Sequence, residues 1–200
     1  FERGDDIHTQ TATKVFGPES GLEKHELRRR AKIINYALLY GKTAFTLSRD
    51  IGVPPQEAQA FIDAYFAGYP QVRGFLARII EEARETGEVR TMFGRRRLVP
   101  ELGSRNGRIR AAAERATVNM PIQGSAADIL KRAMIDLADR LPPSSPMILT
   151  VHDELVVEVP DSDIGAVTEL VTSEMEGVES LDVPLVVEAG SGPTWFEAKA

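Results

Sequence analysis

Arg28, Lys32, Tyr36 and Tyr40 recur at intervals of four, which on a helix makes them a slowly rotating stripe on one side. Two cations one turn apart repel each other mildly, so a face that holds both suits an anionic guest such as a polyphosphate. An aromatic ring one turn further along can stack on a base or a sugar. The same stripe also reads as basic side chains snorkelling over a core, and spacing alone does not choose between the two. A second candidate is His152-Asp153-Glu154, set between the apolar, β-branched runs Met147 to Val151 and Leu155 to Val159. Adjacent carboxylates at the tip of such a hairpin are costly unless a cation neutralises them. Mg²⁺ takes one or two carboxylates plus phosphate oxygens and water, which this tip could supply. An ordinary solvated turn accounts for the same three residues. His8, His25 and His152 are too scattered for a zinc site, and neither a Ser-His-Asp constellation nor a Gly-rich phosphate loop is visible.

The net charge of −6 conceals two opposite halves. Residues 1–140 hold 23 Lys/Arg against 18 Asp/Glu, a balance of +5, whereas residues 141–200 hold Lys199 against 12 acids, a balance of −11. An acidic whole-chain average would argue against nucleic acid, but the split does not. Arginines cluster at 28–30, 95–97 and 105–115. The chain has no cysteine, which excludes disulfides and thiolate metal sites and is compatible with a reducing compartment. No apolar run approaches the ~20 residues of a membrane span. Phe1-Glu2-Arg3-Gly4 reads like the middle of a protein, so the N-terminus is expected to be a cut.

The elements that position these residues are mostly helical up to about residue 140. Ser20-Gly21-Leu22-Glu23 fits a capping box, from which a helical pattern runs to Tyr40 as one long helix or two short ones, with Gly41 as its stop. A helix over about 55–67 places Ala58, Phe61, Ile62, Tyr65 and Phe66 on one face. The next is expected to bury Val72, Phe75, Leu76, Ile79, Ile80 and Ala83 and to end at Gly87. Two short strands flank Gly94 within 88–100, and helices follow over 107–118 and 123–140. After Pro142-Pro143 come the hairpin, a helix around 161–175 and a strand at 183–189. The class is α+β: a helical part, then a small antiparallel sheet with helices packed on it.

Several of these stretches together carry a resemblance. Residues Arg28 to Gly41, RRRAKIINYALLYG, are similar to motif B of family A DNA polymerases, the bacterial DNA polymerase I family, and Val151-His152-Asp153-Glu154 resembles their motif C. Asn119-Met120-Pro121-Ile122-Gln123-Gly124-Ser125-Ala126-Ala127-Asp128 resembles a third signature, in the right order and at the right distance. Asp6-Ile7-His8-Thr9, Phe93-Gly94-Arg95-Arg96-Arg97 and the tail Trp195 to Lys199 also resemble members. The resemblance implies metal-dependent nucleotidyl transfer from a deoxynucleoside triphosphate to a primer 3′ end, in a cytoplasmic, nucleoid-associated enzyme with primer–template DNA as partner. It implies an entry segment over 1–20, fingers helices over 21–87 and the remainder of the palm over 88–200.

The roles it implies fall on particular positions. Arg28 and Lys32 grip the triphosphate, Lys32 also neutralising or protonating the departing pyrophosphate. Tyr36 packs on the nucleotide's sugar and base. Tyr40 and Gly41 sit at the template base and move as the fingers close. Asp153 is one of two metal-bridging carboxylates for two Mg²⁺ ions, Glu154 a secondary acid, and His152 faces the primer terminus. Arg115, Asn119 and Gln123, on one helical flank, contact the primer–template.

The sequence departs from the family pattern in three places. Ala37 stands where many relatives have Gly, and Thr150 where Gln is common. The family's motif A, an Asp-Tyr-Ser-Gln-Ile-Glu-like strand upstream of the Asp-Ile-His-Thr segment, does not occur, nor do the thumb and exonuclease domains. The second metal-bridging carboxylate is therefore expected from a missing N-terminal part, and the isolated chain is expected to be inactive. Two other readings compete. Thr43 to Ile62 has helix–turn–helix spacing that suits a non-catalytic DNA-binding module, but no Lys or Arg occurs between Arg49 and Arg73. A single-subunit RNA polymerase shares the Arg/Lys/Tyr-Gly layout, but Glu154 after His-Asp favours the DNA enzymes.

Overall fold

A computed structural model of the chain describes residues 4–17 and 21–199. These divide into two compact units, one ending at Gly124 and one beginning at Ser125.

In the first unit, α1 (Ile7–Phe16) starts at Asp6, whose carboxylate accepts from the backbone N–H groups of His8 and Thr9. It packs against α2 (Lys24–Leu39) and α4 (Pro55–Gly68). α2 is one continuous helix with Glu23 at its N-cap and no side-chain cap bond; the Ser20 cap expected from the sequence lies outside the described residues. The helix ends in a Schellman motif, with Gly41 N–H donating to the Leu38 carbonyl at 3.1 Å and Lys42 N–H to that of Ala37 at 2.8 Å. Thr43 and Thr46 then form a reciprocal capping box that starts α3 (Ala44–Ile51). α5 (Pro70–Thr86) opens, like α4, on a proline whose missing N–H costs nothing at a helix start.

The first core joins Val15, Ile34, Leu38, Leu47, Ile51, Ala58, Ile62 and Tyr65. Ile34 and Leu47 are fully buried, each worth about 1.5–3 kcal/mol of burial. A second core forms around Ile79, Ala83, Val89, Val99, Leu102 and Ala113. α5 therefore buries less than its sequence pattern suggests. Of the six apolar positions expected inside, only Ile79 and Ala83 are buried, and Phe75 is exposed. The helix reaches one core with Val72 and the other with Ile79 and Ala83, so its middle faces neither.

β1 (Glu88–Arg90) and β2 (Arg96–Leu98) pair antiparallel across the Gly94 turn, and α6 (Gly107–Asn119) follows. Pro121 cannot donate an N–H and clashes with a helical carbonyl, and the chain here widens into a π turn over Met120–Gly124. Gly124 closes that turn against the β1–β2 loop; a Cβ there would come within 2.7 Å of Thr91 Cγ2.

In the second unit, α7 (Ser125–Arg140) and α8 (Ile164–Gly177) pack together, Ala133, Leu137 and Val167 on them are buried, and Arg140 pairs with Glu174. Between them stands the hairpin of β3 (Met147–Val151) and β4 (Glu154–Val157), with Val151 opposite Glu154 and Thr150 opposite Leu155. The second strand ends at Val157 rather than Val159. No strand forms at 183–189: this stretch finds no partner among the described residues, Val186 is exposed, and the Val187 N–H donates to Glu176 Oε1 instead. A short α9 (Trp195–Ala198), capped by Thr194, ends the described chain. No described helix is long and apolar enough to cross a membrane.

Candidate functional site

The stripe on α2 faces solvent. Ala31, Ile34, Asn35, Ala37 and Leu38 occupy the buried side, which leaves Arg28, Lys32 and Tyr36 exposed on the other. The basic side chains are thus not laid over a core. The arginine run that opens the helix is already partly neutralised: Glu26 pairs with Arg29 at 2.7 Å and Arg30 at 2.8 Å, and the two guanidinium groups pull its carboxyl down to about 2. Arg28 pairs instead with Asp6, at 2.7 Å. Lys32 makes no ion pair among the described residues.

Beside the stripe lies a polar chain that the sequence reading missed. Thr11 Oγ1 donates to Asn35 Oδ1 at 3.0 Å and lies 3.1 Å from the Tyr69 hydroxyl. Asn35 Nδ2 donates to His8 Nδ1 at 2.9 Å, which assigns the ring proton of neutral His8 to Nε2. Burial pushes the His8 imidazole below its ordinary value; Arg28 and Lys32 push the same way and Asp6 opposes them. The His8 ring packs against Tyr36, 5.9 Å between centroids, and Tyr36 stacks towards Tyr40 at 6.4 Å. Arg28, Lys32, a neutral imidazole and two aromatic rings therefore lie along one face.

The foot of α2 meets the flank of α6 and the π turn. Gln123 Nε2 donates to the Tyr40 hydroxyl. Gly41 has a φ of 69°, and a Cβ there would lie 3.1 Å from Arg115 Cγ. An open groove beside this junction is lined by Ile33, Tyr36, Ala37, Tyr40, Lys42 and Asp50. Asn119 Oδ1 is buried and has no hydrogen-bond partner among the described residues. Arg28, Lys32, Tyr36, Tyr40, Gly41, Arg115, Asn119 and Gln123 all belong to the first unit; His152, Asp153 and Glu154 belong to the second.

At the hairpin tip only His152 and Asp153 turn the chain, since Glu154 already belongs to β4. His152 has a φ of 55°, the single positive value at a non-glycine among the described residues. Such a backbone costs of order 1–3 kcal/mol. Asp153 is exposed and makes no ion pair among the described residues, whereas Glu154 Oε1 lies 2.6 Å from Lys199 Nζ. That ammonium, helped by Trp195, holds the Glu154 carboxyl below its ordinary range. Among the described residues no three His, Cys, Asp or Glu gather into a metal cluster. The donors nonetheless fit one side of a Mg²⁺ site, because that ion accepts few protein carboxylates and fills its other positions with water and phosphate oxygens. Asp153 can donate as it stands, and Glu154 once Lys199 releases it.

The chain is similar to known proteins over its whole length. The sequence model described as DNA polymerase family A matches residues 1–197. The chain is 48% identical over 200 residues to the thermostable DNA polymerase I of Thermus filiformis, covering 100% of this chain and 24% of that protein. It is 45% identical over 204 residues to the DNA polymerase I of Streptococcus pneumoniae, covering 100% of this chain and 23% of that protein. Among solved structures it is similar to the POL domain of Pol1 from M. smegmatis in complex with DNA primer-template and dNTP. That match has a TM-score of 0.90 and 40% sequence identity, and covers 99% of this chain and 35% of the other. The chain thus spans about a quarter of the length of the curated relatives it matches.

Proposed function

The chain belongs to DNA polymerase family A, and from that premise we propose that it is the nucleotide-gripping and primer-facing part of a longer enzyme that extends a DNA primer on a template. The observation that carries this reading is the outward face of α2, where Arg28, Lys32 and Tyr36 stand in line beside His8. Residues 21–87 serve as the fingers and 88–200 as the remainder of the palm, with 1–20 leading into them.

In this reading the incoming deoxynucleotide lays its triphosphate along Arg28 and Lys32 and its sugar and base against Tyr36. The two cations stabilise charge that grows as the leaving group departs, Lys32 as it stands and Arg28 once its guanidinium leaves Asp6. Lys32, without an ion-pair partner among the described residues, is the group able to hand a proton to a pyrophosphate oxygen. Tyr40, Gly41, Arg115 and Gln123 form the floor under the template base. Asn119, on the same flank of α6, contacts the primer–template, and His152 faces the primer end. Bound Mg²⁺ would lower the cost of ionising the primer 3′-hydroxyl and neutralise phosphate charge. Asp153 would be this chain's carboxylate for that metal, Glu154 would support it, and a further carboxylate is expected from a part of the polymerase outside this chain.

The test uses the full polymerase that carries this chain. Asp153→Ala should lower turnover by about a hundredfold or more while primer–template affinity stays nearly unchanged. Lys32→Ala should weaken nucleotide binding and slow the chemical step. The isolated 200 residues should not extend a primer. Near-normal turnover with Asp153→Ala, or robust extension by the isolated chain, would overturn the assignment.

A further inference from the structure

Arg28 is already engaged. Its Nε donates to Asp6 Oδ2 at 2.7 Å and its Nη2 to Asp6 Oδ1 at 3.3 Å, so the guanidinium fork meets both carboxylate oxygens. Asp6 is itself fixed: it accepts from the N–H groups of His8 and Thr9, each at 3.3 Å, and from the Thr9 hydroxyl. The carboxylate therefore stands pre-aimed at α2 from the start of α1. Lys32, one turn along, has no such partner among the described residues. The two cations of the stripe are inequivalent, one available and one neutralised by an anion seated in the fork that a phosphate would use.

The geometry points to Asp6 as an internal competitor for Arg28, a carboxylate that the nucleotide's phosphate must displace before Arg28 can grip it. The inference rests on the nucleotide-gripping reading of Arg28 and deepens it. Asp6 does not touch the reacting atoms; it sets how tightly the triphosphate is held and recaptures Arg28 when the site empties. Arg28 and Asp6 side chains are 52% and 39% exposed, so the competition is that of a surface ion pair. An effect of about two- to fivefold on affinity follows.

Asp6→Asn isolates the charge, because Asn caps a helix as well as Asp does and α1 keeps its start. The measurement is the Kd of the next correct deoxynucleotide for the full polymerase on a primer ending in a dideoxynucleotide, so that no bond forms. Four versions are compared: parent, Asp6→Asn, Arg28→Ala and both together. Asp6→Asn should lower Kd about two- to fivefold, and the gain should vanish in the Arg28→Ala background. An unchanged or raised Kd in Asp6→Asn, where Arg28→Ala does weaken binding, overturns the competitor role. So does an equal gain without Arg28, which would mean a general field effect. If Arg28→Ala leaves Kd unchanged, the gripping reading itself fails and this inference falls with it.

Discussion

Tyr40 and Gln123, 83 residues apart in the sequence, meet through a hydrogen bond from the Gln123 amide to the Tyr40 hydroxyl. The bond ties the last turn of α2 to the π turn after α6. Tyr40→Phe and Gln123→Leu should each cost little stability alone, and their effects should not add. A double-mutant cycle by denaturant unfolding is expected to give a coupling of about 0.5–1 kcal/mol. Additive losses would mean that the two side chains merely lie near each other.

His8 gives the protein a pH dependence of definite sign. Burial lowers its folded-state pKa below the ordinary value of 6.5, and the neutral ring accepts from Asn35. The facing charges are Asp6, Arg28 and Lys32. A depressed pKa contributes stability that is fully present above the unfolded value and is lost as pH falls through the folded one. Melting temperature should therefore fall from pH 7.5 to 5.5 by more in the parent than in His8→Gln. Equal slopes in the two proteins would remove His8 as the cause.

Gly41→Ala should be more damaging than its size suggests. Its φ of 69° disfavours any L-residue, and the new methyl would press on Arg115 Cγ. A loss of about 1–2 kcal/mol in unfolding free energy is expected, with weakened primer–template binding as Arg115 shifts. The paired substitution Gly41→Ala with Arg115→Ala should recover part of it; no recovery would place the whole cost in the backbone.

Tyr36 carries the prediction that concerns substrate choice. The residue is 47% exposed, its ring lies beside His8, and its hydroxyl makes no hydrogen bond among the described residues. In the full polymerase that hydroxyl can stand in for the 3′-hydroxyl that a dideoxynucleotide lacks, a bond worth roughly 1–3 kcal/mol in a closed site. Tyr36→Phe should raise discrimination against the terminator by about ten- to a hundredfold and leave ordinary incorporation nearly intact. The ratio of kcat/KM for the two substrates decides it.

What the sequence disclosed here was local. The Arg28/Lys32/Tyr36 spacing, the Gly41 stop and the two-strand hairpin follow from periodicity and turn chemistry, and each lies within a few turns of chain. The contacts hidden from that reading are long-range. His8 meets Asn35 across 27 residues and Asp6 meets Arg28 across 22, and nothing in either local pattern names the other. The expected strand at 183–189 failed for a related reason: β-branched composition can ask for a strand but cannot provide the partner that makes one. Phe75 was misplaced because periodicity finds a face without saying whether a core lies opposite it.

The left-handed backbone of His152 has a consequence for heredity as well as for geometry. A codon at this position is screened twice, first by whether its residue tolerates a φ of 55° and only then by what its side chain does for the reaction. A library randomised at position 152 and sorted for folded protein alone should be enriched in Gly, Asn and Asp and depleted of Val, Ile and Thr. The survivors define the small alphabet within which any later refinement of the proposed primer contact can take place.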